Sequence, residues 1–249
     1  SLISIRFSSI TTLLLRLNKA GTMSVKLKYT VKSIDNFQCK EWLLYKHYAK
    51  RLPPIEYAFG LFDLDGTIQG CITYGTPVSS TLRNLWHNKY KLMELNRLCI
   101  NEGLEKNVLS FLVSQSLSFL PKPLVLVSYA DTSQGHHGYI YQATNWIYTG
   151  LSIPFKDIAV KGLENNHHTT IEDLVRGKEN RTEELRKIFG DRLYYVDRPR
   201  KHRYFYFIGN RRQVKDMLTM LPYKIEPYPK GDNRRYDASH KITVQKNLF

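Results

Sequence analysis

At 249 residues the chain is long enough to bury a sizeable core in one domain, and 42% hydrophobic with 24% charged residues is ordinary for a globular protein. No apolar run approaches the roughly 20 residues that a membrane-spanning helix needs, which argues against a membrane protein. Thirty-seven Lys and Arg against 22 Asp and Glu leave a net charge of +15, which favours a polyanionic partner, nucleic acid first.

Residues 1–22 hold no acidic residue and only a short apolar stretch broken by Arg16, a poor secretory signal; they read as a leader or upstream remnant, with a start at Met23. From Val25 to Val31, apolar residues alternate with lysines as in a half-buried strand, and Ser33 is placed to cap a helix running through Trp42 to about Lys50. Two strands follow, Ile55 to Phe62 and Thr67 to Thr76, joined by Asp65-Gly66, a strong hairpin turn signal. Met93 to Ile100 reads as a strand and Val108 to Leu120 as a helix closed by Pro121 and Pro123. Leu124 to Val127 is a continuous apolar run typical of a strand buried on both faces. A short helix is expected from Tyr139 to Asn145 and a strand from Trp146 to Ile153. Residues 154–190 form a polar insertion with a helix from Thr182 to Phe189. Leu193 to Val196 and Tyr204 to Ile208 supply the last strand or strand pair, which completes a main domain over residues 23–223. Lys224 to Phe249 is a basic tail without sustained period, expected to be an extended or mobile arm. This order predicts an α/β (α+β) domain with the GNAT-like acyltransferase fold, a mixed, mostly antiparallel sheet split by a V-shaped opening. Cys39, Cys71 and Cys99 lack paired spacing and read as reduced core thiols, which suits a reducing compartment.

Functional residue types are densest between Ser128 and Trp146, directly after the buried strand, where open α/β sheets build their ligand sites. Asp131 suits a base or a histidine-orienting carboxylate, and His136 or His137 an acid, base or metal ligand. A plainer alternative has Asp131 capping the following helix and both histidines in a solvated turn. Tyr141 can donate a proton or stack on a base; Asn145 is a further candidate. Glu94 and Asn96 are expected on one face of their strand with Arg97 on the other, and Ser110 suits either a cleft or a helix cap. Finally, Arg198, Arg200, Lys201, Arg203, Arg211, Arg212 and Lys215 put seven cations in 18 residues with no balancing acid before Lys215, a pattern suited to gripping DNA phosphates.

The segment LVSYADTSQGHHGYIYQATNWIYTG, together with HYAKRLPPIEYAFGLF, ELNRLCI and RKHRYFYFIG, resembles the Mom family of bacteriophage DNA adenine-modifying proteins. The resemblance implies a GNAT-like enzyme that converts adenine N6-amino groups in double-stranded phage DNA to a carbamoylmethyl (acetamido) form, in the cytoplasm of the infected host. It implies an acyl-coenzyme A donor and bound iron as cofactors. His47 and Tyr48 would then face the cleft with Ser128, and a set of His47, Asp131 and His136 or His137 could make the iron site. One departure from ordinary GNAT enzymes is NEGLEKN after Ile100, where a glycine-rich pyrophosphate loop is expected. The rival readings are a GNAT-like N-acyltransferase acting on a small molecule, protein or tRNA, and a DNA-binding protein that kept the fold without the activity.

Overall fold

A computed structural model describes residues 24–47, 49–164 and 168–231. Residues 1–23, which include the expected leader and the start at Met23, Tyr48, residues 165–167 and the chain beyond Gly231 lie outside the described residues. The centre is a seven-stranded sheet in the order β1-β2-β3-β4-β5-β9-β6. Its strands are β1 (Thr30–Ser33), β2 (Tyr57–Phe62), β3 (Ile68–Gly75), β4 (Leu92–Ile100), β5 (Leu124–Asp131), β6 (Ile147–Leu151) and β9 (Lys201–Ile208). Every pairing is antiparallel except β4 with β5. Those two are joined by a helix, α4 (Val108–Phe119), long enough for the crossover that parallel strands need. The fold is thus mixed α/β with a mostly antiparallel sheet, as the order of elements predicted.

Apolar side chains cover both sheet faces. On one, α4 and the short α5 (Tyr139–Ala143) bury a core that includes Leu112, Leu117, Leu126, Trp146 and Tyr204. On the other, α3 (Ser80–Arg83) and α8 (Arg211–Thr219) pack Trp86 and Met217 against Val125, Val127 and Phe205. The β2–β3 turn forms at Asp65-Gly66 as expected: Asp63 accepts from the amides of Asp65 and Thr67, and Gly66 takes φ +78°.

The entry to the fold differs from the alternating pattern. Val25–Lys28 is a helical turn (α1), and only Thr30–Ser33 joins the sheet. Val25 and Tyr29, four residues apart, both pack into the main core, a spacing that suits a helix as well as the i, i+2 pattern suits a strand. Ser33 stays in β1, and Asp35 caps the next helix, α2 (Asn36–Glu41), in a reciprocal capping box with Gln38. That helix passes into a π turn, Trp42–Lys46, and stops at His47 rather than near Lys50.

Residues 155–198 form a module of their own. β7 (Phe155–Val160) and β8 (Leu193–Arg198) pair only with each other, and α6 (His168–Asp173) and α7 (Arg181–Phe189) close a small core around Val160, Ile171, Val175 and Leu185. The segment expected as a polar insertion therefore contains a strand, and Leu193 to Val196 belongs to this small sheet, not the main one. Helix α8 was not foreseen in the sequence, although Asn210 and Gln213 form a capping box there. The tail is fixed as far as Gly231. The Glu226 amide donates to the Tyr148 carbonyl on the edge strand β6 (3.0 Å), and the Tyr228 hydroxyl donates to the Trp146 carbonyl (2.7 Å).

Candidate active site

β4 and β5 run side by side for three residue pairs, from Leu92↔Val125 to Glu94↔Val127, and then part. The Ser128 hydroxyl stands at the fork, bonded to the Leu95 carbonyl (2.8 Å) and the Tyr141 hydroxyl (2.7 Å). Beyond the fork, β4 holds an extra residue. Thr73 pairs with Arg97 but Tyr74 pairs with Leu95, so Asn96 is bulged out and accepts from Thr73 Oγ1 (2.6 Å) while donating to the Pro54 carbonyl (2.8 Å). Gly75 sits opposite, because a Cβ there would lie 1.9 Å from the Pro54 oxygen. The bulge cancels the alternation expected of a regular strand, so Glu94, Asn96 and Arg97 all line one cavity.

That cavity, of about 800 Å³, is bounded by β4 from Glu94 to Ile100, the 101–107 loop, the first turn of α4, Tyr129 and Ala130 of β5, and the 136–141 segment. Its size is in the range of small-molecule sites. Glu94 has its pKa pushed up to about 7: burial disfavours its charge, and the positive charges of Arg97 and Lys201 pull it only part of the way back. The carboxyl therefore changes charge near neutral pH, as a general base or acid should. Tyr129, on the same wall, is held protonated by burial and then by the charge of Glu94.

His47 lies in the wall with its pKa lowered to about 3, first by burial and then by Arg97 and His136. Its Nδ1 accepts from the Ala49 amide (3.1 Å), so in the neutral ring the proton sits on Nε2. A metal-binding imidazole has the opposite polarity, with one nitrogen donating to a support and the other bare toward the metal. Asp131 is also committed elsewhere. It ends β5, accepts from Ser133 N (3.0 Å) and Ser133 Oγ (2.6 Å) as the cap of a 3-10 turn, and lies 3.5 Å from Lys201 Nζ. Among the described residues no group of three or more His, Cys, Asp or Glu side chains is placed to hold a metal ion. The expected set of His47, Asp131 and His136 thus does not fit an iron site, and no step below runs through one.

The two histidines divide. His136 lines the cavity, whereas His137 turns away to lie 5.5 Å from the His202 ring and against Gly231. Tyr141 lines the cavity, its hydroxyl engaged by Ser128. Asn145 does not. It is exposed, follows α5 with φ +61°, and serves as the helix stop for which Asn is suited. Ser110 lines the cavity but its hydroxyl donates to the Asn107 carbonyl (3.0 Å), and no side chain caps α4. Tyr48 lies outside the described residues.

The seven cations do not form one edge. Arg203 is buried, donating to Thr149 Oγ1 (3.0 Å) and the Thr149 carbonyl (2.9 Å) with its guanidinium 3.5 Å from the centre of the Tyr223 ring. Strand alternation places it there. Arg198 forms a fork with Asp157 inside the β7–β8 module, and Arg200 donates to the Ser152 carbonyl (2.6 Å). Lys201 points into the cavity. Only Arg211, Arg212 and Lys215 stand exposed together, on α8, whose Met217 packs against the sheet face opposite α4.

A profile of the Mom protein family matches residues 28–230, which takes in every element that builds the cavity. The chain belongs to the Mom family. A curated relative, the methylcarbamoylase mom of Escherichia phage Mu, is 28% identical over 212 residues, which cover 80% of this chain and 83% of that protein. Among solved structures, a spermidine/spermine N-acetyltransferase from Vibrio cholerae aligns at TM-score 0.41 and 10% identity, over 79% of this chain and 99% of the other. A GNAT-family acetyltransferase from Bacillus cereus aligns at TM-score 0.38 and 12% identity, over 72% and 96%. The Mom match ends within the tail segment that is fixed on β6.

Proposed function

We propose that this protein is a DNA-modifying transferase that converts the N6-amino group of adenine to a carbamoylmethyl (acetamido) derivative and so protects phage DNA from restriction in the host cytoplasm. The observation that carries the proposal is Glu94, a carboxyl titrating near pH 7 on the wall of a cavity of about 800 Å³ at the fork of β4 and β5. Membership in the Mom family and the methylcarbamoylase name of the phage Mu relative support it.

The amino group of adenine is a weak nucleophile, because its lone pair is delocalised into the ring. A base must take its proton as the new N6–C bond forms. Glu94, ionised above about pH 7, accepts that proton, and the bond to the donor's leaving group breaks as the N6–C bond closes. Arg97 and Lys201 keep the carboxylate accessible at neutral pH by partly offsetting its burial. The neutral His47 ring carries no charge to compete for the base. In duplex DNA the adenine must leave the stack to reach the cavity, and Tyr139 and Tyr141 on its wall offer ring faces for it. The carbamoylmethyl group must arrive on a donor whose leaving group sits on the methylene carbon, because transfer from an acyl-coenzyme A thioester alone would leave an N6-acyl group; phosphates on such a donor would suit the uncapped first turn of α4, which lines the cavity.

The test is nucleoside mass spectrometry on DNA from cells expressing the protein. A modified deoxyadenosine heavier by one acetamido group is expected. Unmodified deoxyadenosine throughout, with folded protein present in the cells, contradicts the proposal.

A further inference from the structure

The proposed DNA substrate leaves open where the backbone is held. Three ionisable residues of the cavity wall share one face of the sheet. Glu94 follows Leu92 by two residues in β4, Tyr129 follows Val127 by two in β5, and Lys201 precedes Phe205 by four in β9. Leu92, Val127 and Phe205 all pack in one cluster with Trp86 and Met217. Because side chains alternate along a strand, Glu94, Tyr129 and Lys201 reach the cavity from the side that α3 and α8 cover. Ser110 and Ile140 reach it from the side of α4 and α5.

The surface on the Glu94 side is basic. Residues 80–91 and 210–219 hold six Lys and Arg and a single acid, Asp216, which is paired with Lys89 (2.7 Å). The β7–β8 module, by contrast, carries nine Lys and Arg against nine Asp and Glu over residues 155–198. Trp86 Nε1 donates to the Met217 carbonyl (3.1 Å) and so joins the two basic segments, which puts Arg83 on the same surface as Arg211, Arg212 and Lys215, all four exposed. Helix α8 starts beyond the far end of β9 and turns back along the sheet, since Tyr223 after it stacks on Phe205 and takes the Arg203 guanidinium. Seven residue steps of β9 separate that end from Lys201 at the cavity, about 23 Å or roughly seven base-pair rises of a duplex. We propose that Arg83, Arg211, Arg212 and Lys215 form a DNA-backbone surface that holds phosphates on the flank of the duplex, on the face from which Glu94 meets the adenine. This rests on the reading of DNA as the substrate.

The experiment measures binding of a duplex of about 30 base pairs, long enough to span that distance, over a salt series. Four proteins are compared: the full chain, the triple variant Arg211→Gln/Arg212→Gln/Lys215→Gln, the single variant Arg83→Gln, and a control that loses as many charges from the neutral module, Lys178→Gln/Arg181→Gln/Arg186→Gln. Each contact to phosphate contributes about 0.9 to the slope of log K against log salt. The triple variant is expected to lose about 2–3 from that slope and to bind roughly tenfold to a hundredfold more weakly at 0.1 M salt. Arg83→Gln should lose about 1, and the control should match the full chain. Thermal midpoints should be equal, because every substituted side chain is exposed. A slope unchanged in the triple variant, or an equal loss in the control, overturns the surface while leaving the DNA substrate standing. A full chain that neither binds nor modifies DNA overturns both.

Discussion

Two junctions in the same sheet treat polar side chains in opposite ways. Between β5 and β9 the strands stay paired over eight positions, and apart from Lys201 at the end of the ladder, which reaches the cavity, the charged and histidine side chains along it are held by neighbouring protein groups. Arg203 is held by Thr149 and Tyr223, His202 by the Tyr148 hydroxyl at 2.8 Å, and Asp131 by Ser133. Between β4 and β5 the pairing stops after three positions, and Glu94, Arg97 and Tyr129 border a cavity. A charged residue beside a continuous ladder is part of the packing. One beside a fork can face a substrate.

The contrast can be broken first at Arg203. Removing a buried, doubly bonded guanidinium stacked on Tyr223 is expected to cost about 3 kcal/mol, so Arg203→Ala should lower the melting temperature by roughly 6–12 °C in calorimetry. The salt dependence of DNA binding should not change. An Arg203→Ala protein with wild-type stability and a shallower salt slope would make Arg203 a phosphate contact after all. Next comes Ser128, which closes the fork. Ser128→Ala leaves the Leu95 carbonyl and the Tyr141 hydroxyl each short of a partner, for about 1–3 kcal/mol in denaturant unfolding.

The pH dependence of stability separates two residues of the cavity wall. Glu94, raised to about 7 in the fold from an ordinary 4.5, binds its proton more tightly when folded, so its contribution to stability falls as pH rises from 4.5 to about 7. His47, lowered to about 3 from 6.5, binds its proton more tightly when unfolded, so its contribution falls as pH drops from 6.5 toward 3. The two slopes oppose each other between pH 4.5 and 6.5. Glu94→Gln should leave stability rising with pH across that window, and His47→Gln should leave it falling. Identical urea midpoints for both variants at every pH would contradict the assigned shifts. The smallest effect is expected on α8: Arg211→Ala is exposed and should change stability by less than about 0.5 kcal/mol.

Much of the fold was legible in the sequence, because β2, β3, β4, α4 and β5 carry strong periodic or continuous apolar patterns bounded by Pro, Gly or Asp-Gly. What failed has physical causes. The Val25 to Tyr29 pattern satisfies both a strand and a single helical turn, and only the packing of Tyr29 beside Glu105 decides between them. The bulge at Asn96 is set by Thr73 and Pro54, more than 20 residues away, so no local pattern reveals that Arg97 joins Glu94. The Ser128 to Tyr141 segment borders the cavity through Tyr129, His136 and Tyr141, while Asp131 and Asn145 take turn-making roles that those residue types also suit. The sequence run did not show that its cations would be dispersed, because adjacent strand residues point to opposite faces and a turn separates the members on α8.

The central claim is that the chemistry belongs to the fork and not to the ladder beside it. It is tested most directly by the modified fraction of deoxyadenosine in DNA from cells expressing Glu94→Gln or Asp131→Asn, each beside the parent chain. Loss of the general base should reduce modification by Glu94→Gln about 100-fold or more, while Asp131→Asn, which keeps an acceptor for Ser133, should stay close to the parent. Modification that survives Glu94→Gln and disappears with Asp131→Asn would contradict it.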